Sequence, residues 1–435
     1  MKKNILLILL PIIFLSSCDY IGTSKIKNLI DLTDKLTIET TKKPIITSAK
    51  EDPFIGKRKT SYVNSRNKII SPPIMANGVV YNIDKKGLVT AFSTKERKKL
   101  WSSDIARTIK EKSFYGGGML YNNGKLYVTF GTRYLVILDA STGYEIIRKE
   151  FPDILRLKPV SVTKNLILVQ TVSNQLFAYN TENFKIAWRH YGNIETVSSK
   201  AHAHPVVYNG FIIASYSSGE VFYINAITGQ AKWSYMLSTI SDVGLPNYDP
   251  SVIVTPAIIS GNSVYFATSN DKLVRLSLDN GMPLWKKEVA DVQTMLLHEG
   301  NLFITNNARQ TAAISIIDGK VSWIGNLITP KERKKKRPKP VLFQVPYITK
   351  NSDSWSLNVI GSNGELYKFT TDINGDLPED AEIIKINKGV IGYNIDFNND
   401  MYLFTDRRTV FWFTPPVKKS FLSRFGKKEN TQSDK

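Results

Sequence analysis

Turn residues recur along this 435-residue chain at intervals that few architectures can accommodate. Gly78, Gly124, Asn165, Gly210, Gly261 and Gly300 are separated by 46, 41, 45, 51 and 39 residues. A second turn residue follows each of them after 19 or 20 residues, at Arg97, Gly143, Phe184, Gly229, Gly281 and Gly319. Four positions beyond it stands Trp101, Ile147, Trp188, Trp233, Trp285 or Trp323. Between the two anchors lie two alternating runs around a polar turn, for example 211–216, then 217–219, then 220–225, the pattern of a β-hairpin. An apolar strand precedes the first anchor, often opened by proline as at Pro159, Pro205 and Pro256, and the tryptophan strand follows the second. Each unit therefore has four strands, and a period of this length is that of propeller blades.

A single blade cannot bury both of its faces, so blades must pack around an axis and cover one another. The indoles at a fixed position, Trp101, Trp188, Trp233, Trp285 and Trp323, are read as structural anchors that fill the space between neighbours. Downstream, 354–369 and then 401–405 with 409–413 form looser hairpins, giving seven complete blades and a partial eighth. The missing outer strand is assigned to 36–48, where Ile38, Ile45 and Ile46 suit an extended chain. The expected fold is all-β, an eight-bladed β-propeller of four-stranded antiparallel blades closed by an N-terminal strand. The propeller domain is placed at 56–413, between a linker at 18–55 and a basic tail at 414–435.

The N-terminus carries a different signal. Lys2 and Lys3 precede the apolar run 5–15, which is broken only by Pro11. This run falls well short of the roughly 20 residues that a membrane-spanning helix needs, so 1–17 reads as a secretion signal to be removed. Leu15-Ser16-Ser17-Cys18 resembles the lipobox of bacterial lipoproteins, which implies lipidation of Cys18 and attachment to a membrane through it. Cys18 is the only cysteine, which excludes thiol catalysis and any disulfide framework. Asp19 follows it, a residue that in well-studied lipoproteins tends to mark inner-membrane retention.

The net charge of +20 is spread along the chain, with a local maximum at 331–339 that reads as a solvated basic loop. Nucleic acid is not expected as a partner of an exported protein. His202 and His204 are two apart and would face one side of a strand, but no third ligand stands nearby, so a loop role is the reading. Asp372–Asp376 and Asp396–Asp400 are similar to the start of a calcium loop without its glycine and glutamate positions, and turn chemistry accounts for both. Gly116-Gly117-Gly118 leads into a strand, not into the helix that a phosphate cradle requires. The tail interleaves Phe421, Leu422 and Phe425 with lysines and arginine and reads as disordered, with contact to an anionic membrane as the alternative.

Asn225–Trp233 and Leu278–Trp285 resemble the tryptophan-docking repeat of quinoprotein-type propellers, and together with the lipobox they make the chain similar to the BamB family. That resemblance implies a quinoprotein-like propeller acting as a non-catalytic scaffold, without cofactor or metal, in the assembly of β-barrel outer-membrane proteins. It implies as partners a BamA-like barrel insertase and unfolded outer-membrane proteins, and a periplasm-facing, lipid-anchored location on the outer membrane, with the inner membrane as the alternative raised by Asp19. Partner contacts in the family correspond here to 197–204 and 247–251, with Val197, Lys200 and Asp249 as the candidate residues. Ser199, Ser251 and Ile253 depart from the family's pattern there. The alternative is a quinone (PQQ)-dependent dehydrogenase, which needs a calcium-bound cofactor in the ring centre; the adjacent-cysteine disulfide of its alcohol-oxidising members is impossible in this chain. A polysaccharide-binding propeller is a third possibility, for which exposed aromatics clustered on one face would be expected.

Overall fold

The computed structural model describes residues 58–413, apart from 64, 66, 111–113, 156, 194–202, 238–251, 270, 329–338, 351–353, 372–375, 396–400 and 407. Within it the strands form eight four-stranded antiparallel sheets. Seven are built from consecutive strands: blades 1 to 7 span 74–104, 118–155, 160–191, 206–236, 258–288, 292–326 and 347–385. Blade 8 takes its three inner strands from 390–413 and its outer strand from the N-terminal segment Arg58–Val63, which pairs with Arg408–Phe413 from Arg58↔Phe413 to Val63↔Arg408. The expected eight-bladed ring closed by an N-terminal strand is the observed fold.

The identity of the closing strand is a correction. The place assigned to 36–48 is filled by Arg58–Val63, and 36–48 lies outside the described residues. The outermost strand of a blade has no blade strand beyond it and turns much of its surface to water, so a polar sequence such as Arg-Lys-Thr-Ser-Tyr-Val suits it. An isoleucine-based criterion selects the wrong kind of strand for that position.

The core is divided among the interfaces between blades. Leu166–Gln170, the second strand of blade 3, is buried along its whole length. Leu166 and Leu168 pack with Ile212 and Ala214 of blade 4, whereas Ile167 and Val169 pack with Tyr127 and Leu135 of blade 2. The period-2 alternation of a strand thus sends successive side chains to opposite neighbours. Each fully buried Leu or Ile contributes about 1.5–3 kcal/mol, so no blade is stable without those beside it. At the closing interface Val80 of blade 1 meets Tyr402 and Phe404 of blade 8.

Trp101, Trp188, Trp233 and Trp285 reach across to the next blade. Trp101 Nε1–H donates to Ala140 O at 3.1 Å and Trp233 Nε1–H to Leu278 O at 2.8 Å, each reaching the next blade. The rings lie against glycines of that blade: a Cβ on Gly143 would approach Trp101 within 2.4 Å, and one on Gly281 would approach Trp233 within 2.6 Å. Asp139, Asn180 and Asn225 shape the docking turns, their Oδ1 atoms accepting from the amides two and three residues on.

Blade 7 breaks this series. Its equivalent of the docking turn, 372–375, lies outside the described residues, and among the described residues Trp323 of blade 6 has a buried Nε1 without an acceptor and meets Phe369 edge-on at 5.0 Å. The junction is covered instead by the connection between the last two strands of blade 7, where Asp380 bridges to Asn326 and Asn326 N–H donates to Glu379 O at 2.8 Å. Leu377 and Ala381 of the same connection pack into the blade 6–7 core.

Candidate docking site

The loops that join one blade's outer strand to the next blade's inner strand differ in length, and besides 327–346 between blades 6 and 7 two neighbouring ones are long. Residues 192–205 link blade 3 to blade 4, and 237–257 link blade 4 to blade 5. Val197 and Lys200 belong to the first and Asp249 to the second, and all three lie outside the described residues, as do His202, Cys18 and Asp19. The ends of both loops are described, and their anchoring is specific.

The turn of blade 4 at 215–220 holds the departing end of each loop. Glu220 Oε2 accepts from Asn193 N–H at 2.6 Å and from Ser218 Oγ at 2.7 Å. Leu237 N–H donates to Gly219 O at 2.9 Å where the second loop begins. Asn174 of blade 3 adds a clamp: its Oδ1 accepts from Ser217 N–H at 3.0 Å and Ser217 Oγ at 2.9 Å, while its Nδ2 donates to Asn193 O at 2.8 Å. Asn174 is buried with φ 58°, a left-handed conformation that asparagine tolerates better than most residues. His190 Nδ1 bonds Tyr216 Oη at 2.8 Å beside this cluster; burial holds the imidazole below its ordinary pKa, partly opposed by the charge of Glu220.

The returning ends meet one another. Ala203 N–H donates to Ile253 O at 3.2 Å, and both residues are buried. Val252 and Ser269 exchange bonds, Val252 N–H to Ser269 Oγ at 3.2 Å and Ser269 N–H to Val252 O at 2.8 Å. The two loops therefore leave from one turn and return side by side. Asn174, Ser217 and Glu220 were not singled out in the sequence, where they read as turn residues.

His204, at the exit of the first loop, faces a cavity of about 420 Å³ lined by Met75, Met119, Tyr121, Lys158 and Val160, where the inner strands of blades 1 to 3 begin. Burial pushes its imidazole down to about 4, the nearby Lys158 ammonium adds to this, and the bond from Nδ1 to Pro205 O at 3.1 Å opposes it. Among the described residues no group of three or more His, Cys, Asp or Glu side chains converges on a common point. The inner strands of all eight blades carry no Asp or Glu, so these strands themselves offer a calcium ion no carboxylate.

A family profile described as outer membrane protein assembly factor BamB matches residues 85–325. The chain belongs to the BamB family. An uncharacterized protein of Rickettsia prowazekii is 38% identical over 94% of this chain and 99% of its own length. The outer membrane protein assembly factor BamB of Yersinia pestis is 23% identical over 56% of this chain and 63% of the relative. Among solved structures, BamB from Moraxella catarrhalis superposes with a TM-score of 0.63 at 13% identity, covering 82% of this chain and 99% of the other. A europium-containing methanol dehydrogenase shares the propeller with a TM-score of 0.55 at 12% identity, covering 79% of this chain and 83% of the other. The BamB-type ring is thus common to a named assembly factor and to an enzyme, and the fold by itself does not choose between them.

Proposed function

We propose that this protein is a non-catalytic scaffold in the assembly of β-barrel outer-membrane proteins, and that it docks a barrel insertase of the BamA type through loops 197–204 and 247–251. The observation that carries the reading is the bond from Ala203 to Ile253, which joins the return paths of the two loops into one surface. Membership in the BamB family supports the assembly role. Val197, Lys200 and Asp249 are the contact residues proposed on these loops, and unfolded outer-membrane proteins are the further partners.

A lipid on Cys18 would hold the ring at the periplasmic face of the outer membrane, with the inner membrane as the alternative raised by Asp19. The inner strands without carboxylates speak against the quinone-dependent dehydrogenase.

The test is site-specific photo-crosslinking in native membranes. A photoreactive residue is placed at 197, 200 or 249 of the full-length chain, with a control at exposed Lys320 on blade 6. Crosslinks to the barrel insertase from the first three positions and none from the control are expected. Recovery of respiratory redox components instead, or equal crosslinking from the control, overturns the reading. Cys18→Ser should release the protein from the membrane fraction, and density separation of the wild-type membranes decides which membrane carries it.

A further inference from the structure

Blade 2 departs from the repeat. It has Ile147 where blades 1 and 3 to 6 carry tryptophan, and its outer strand Glu145–Leu155 is extended to 11 residues. Residues 108–110 and 114–116 of the link from blade 1 face this extension, and between them lies an open cavity of about 1000 Å³. The Gly116–Gly118 run builds its wall. Gly117 has φ +90°, and a Cβ there would come within 2.2 Å of Thr129 O; Gly131 has φ +73°, and a Cβ there would come within 2.1 Å of Tyr115 O. Only glycine permits both main chains to approach so closely. This contact presses 115–118 against the turn 129–131, buries Phe114 edge-on against Phe130 at 5.1 Å, and leaves Tyr115 73% exposed at the lip.

The walls combine apolar and cationic groups. Ile109, Phe114, Tyr115, Tyr134 and Ile154 supply the apolar surface. Arg148 is fixed at the base: Nε and Nη2 donate to the Glu145 carboxylate at 2.9 and 2.7 Å, Nη2 also donates to Ile105 O at 2.7 Å, and the guanidinium stands 5.7 Å from the Tyr134 ring centroid. Arg133 and Lys110 stand at the rim, and Glu150 is the acid among the lining residues, 3.5 Å from Arg133. Exposed tyrosine beside ordered arginine, in a concave site of this volume, is the composition that binding hot spots favour.

We propose that this cavity is a second docking site, which takes an aromatic side chain from an extended acidic segment of a partner protein. The ring of the ligand inserts between Tyr115 and Tyr134, and its acidic flanks meet Lys110 and Arg133. The excess of basic over acidic lining groups, on a chain with net charge +20, sets the sign of the partner. The site lies on blades 1 and 2, away from the loops of blades 3 to 5, so either site can fail without the other.

The experiment is fluorescence anisotropy with the purified chain from residue 19 onward and three labelled pentapeptides: Asp-Asp-Phe-Asp-Asp, Asp-Asp-Ala-Asp-Asp and Lys-Lys-Phe-Lys-Lys. The acidic aromatic peptide should bind roughly tenfold more tightly than the alanine peptide, and the lysine peptide should not bind. Tyr115→Ala and Arg133→Glu change exposed side chains and should leave the thermal melt unchanged while weakening the first peptide about tenfold. Lys320→Glu on blade 6 should have no effect beyond a general salt-dependent loss. Equal affinity for the phenylalanine and alanine peptides, which is attraction by net charge alone, overturns the proposal. So does unchanged affinity in both cavity variants, absence of binding at millimolar peptide, or loss on Tyr115→Ala of binding to phosphatidylglycerol vesicles but not to peptide.

Discussion

The indole of Trp188, on the outer strand of blade 3, lies on Gly229 of blade 4, so that a Cβ at 229 would stand 2.7 Å from the ring. The Nε1–H donates to Ala226 O at 3.0 Å in the same turn. The two residues belong to different repeats and form one joint. The joint also explains where the glycine is dispensable. Phe184 of blade 3 faces blade 2, which presents Ile147, and Arg97 of blade 1 faces blade 8, whose outer strand has no tryptophan. Both keep the left-handed backbone, at φ 58° and 56°, without an indole to accommodate.

Gly229→Ala should therefore destabilise the ring by about 2–4 kcal/mol, the left-handed strain adding to the overpacking. Arg97→Gly, with the same backbone and no docked indole, should change stability by less than about 1 kcal/mol. Urea titrations of the two variants followed by circular dichroism check the contrast. Equal losses would show that the glycine serves its turn alone.

Trp188 and Trp323 differ in one hydrogen bond. Trp188→Phe loses the bond to Ala226 O, whereas Trp323 Nε1 has no acceptor to lose. Both substitutions leave a small void, so the difference between them should be about 1 kcal/mol, with Trp188→Phe the worse. Thermal melts of the two single variants measure it.

Ring closure depends on six residue pairs between Arg58–Val63 and Arg408–Phe413. A chain beginning at residue 64 should melt at a lower temperature and expose blade 8 to protease first, while a chain beginning at residue 50 should behave as the longer protein does. Limited proteolysis with mass mapping of the first cleavage sites distinguishes the two.

His204 makes stability depend on pH with a defined sign. Its folded pKa of about 4 lies below the ordinary 6.5, because burial and Lys158 disfavour the charged ring. The native state is undisturbed above pH 6.5 and loses stability as the pH falls towards 4, by about 1–2 kcal/mol after allowance for solvent in the cavity. His204→Gln should flatten this part of the pH–stability curve. An unchanged slope would place the titration elsewhere, with His190 the next candidate, since burial shifts it the same way.

The repeat was legible in the sequence because one short-range contact, indole on glycine, imposes both its spacing and its residue types. Where that contact is absent the sequence grows indistinct. In blade 7 the described part of the connection reaches Asn326, and no local pattern announces a bridge between Asn326 and Asp380. The closing strand was assigned to the wrong segment because Arg58–Val63 satisfies a backbone requirement and not an apolar one. The loops carrying Val197, Lys200 and Asp249 are singled out by the resemblance alone, and the anchoring of their described ends is not legible in it. Asn174 reaches Ser217 across 43 residues of sequence. The one available signal is the pair Ser217 and Glu220 flanking Gly219 in a turn that needs neither side chain.

The strand Arg58–Val63 is made before the rest of the ring, yet its partner Arg408–Phe413 is the last of the described strands. A contact between such distant segments forms late and sets the pace of folding. Until it forms, blade 8 has an open edge that invites proteases and aggregation. The pairing thus acts as a test of completeness: a chain that stops short of residue 408 cannot seal the ring, however well its first seven blades have folded.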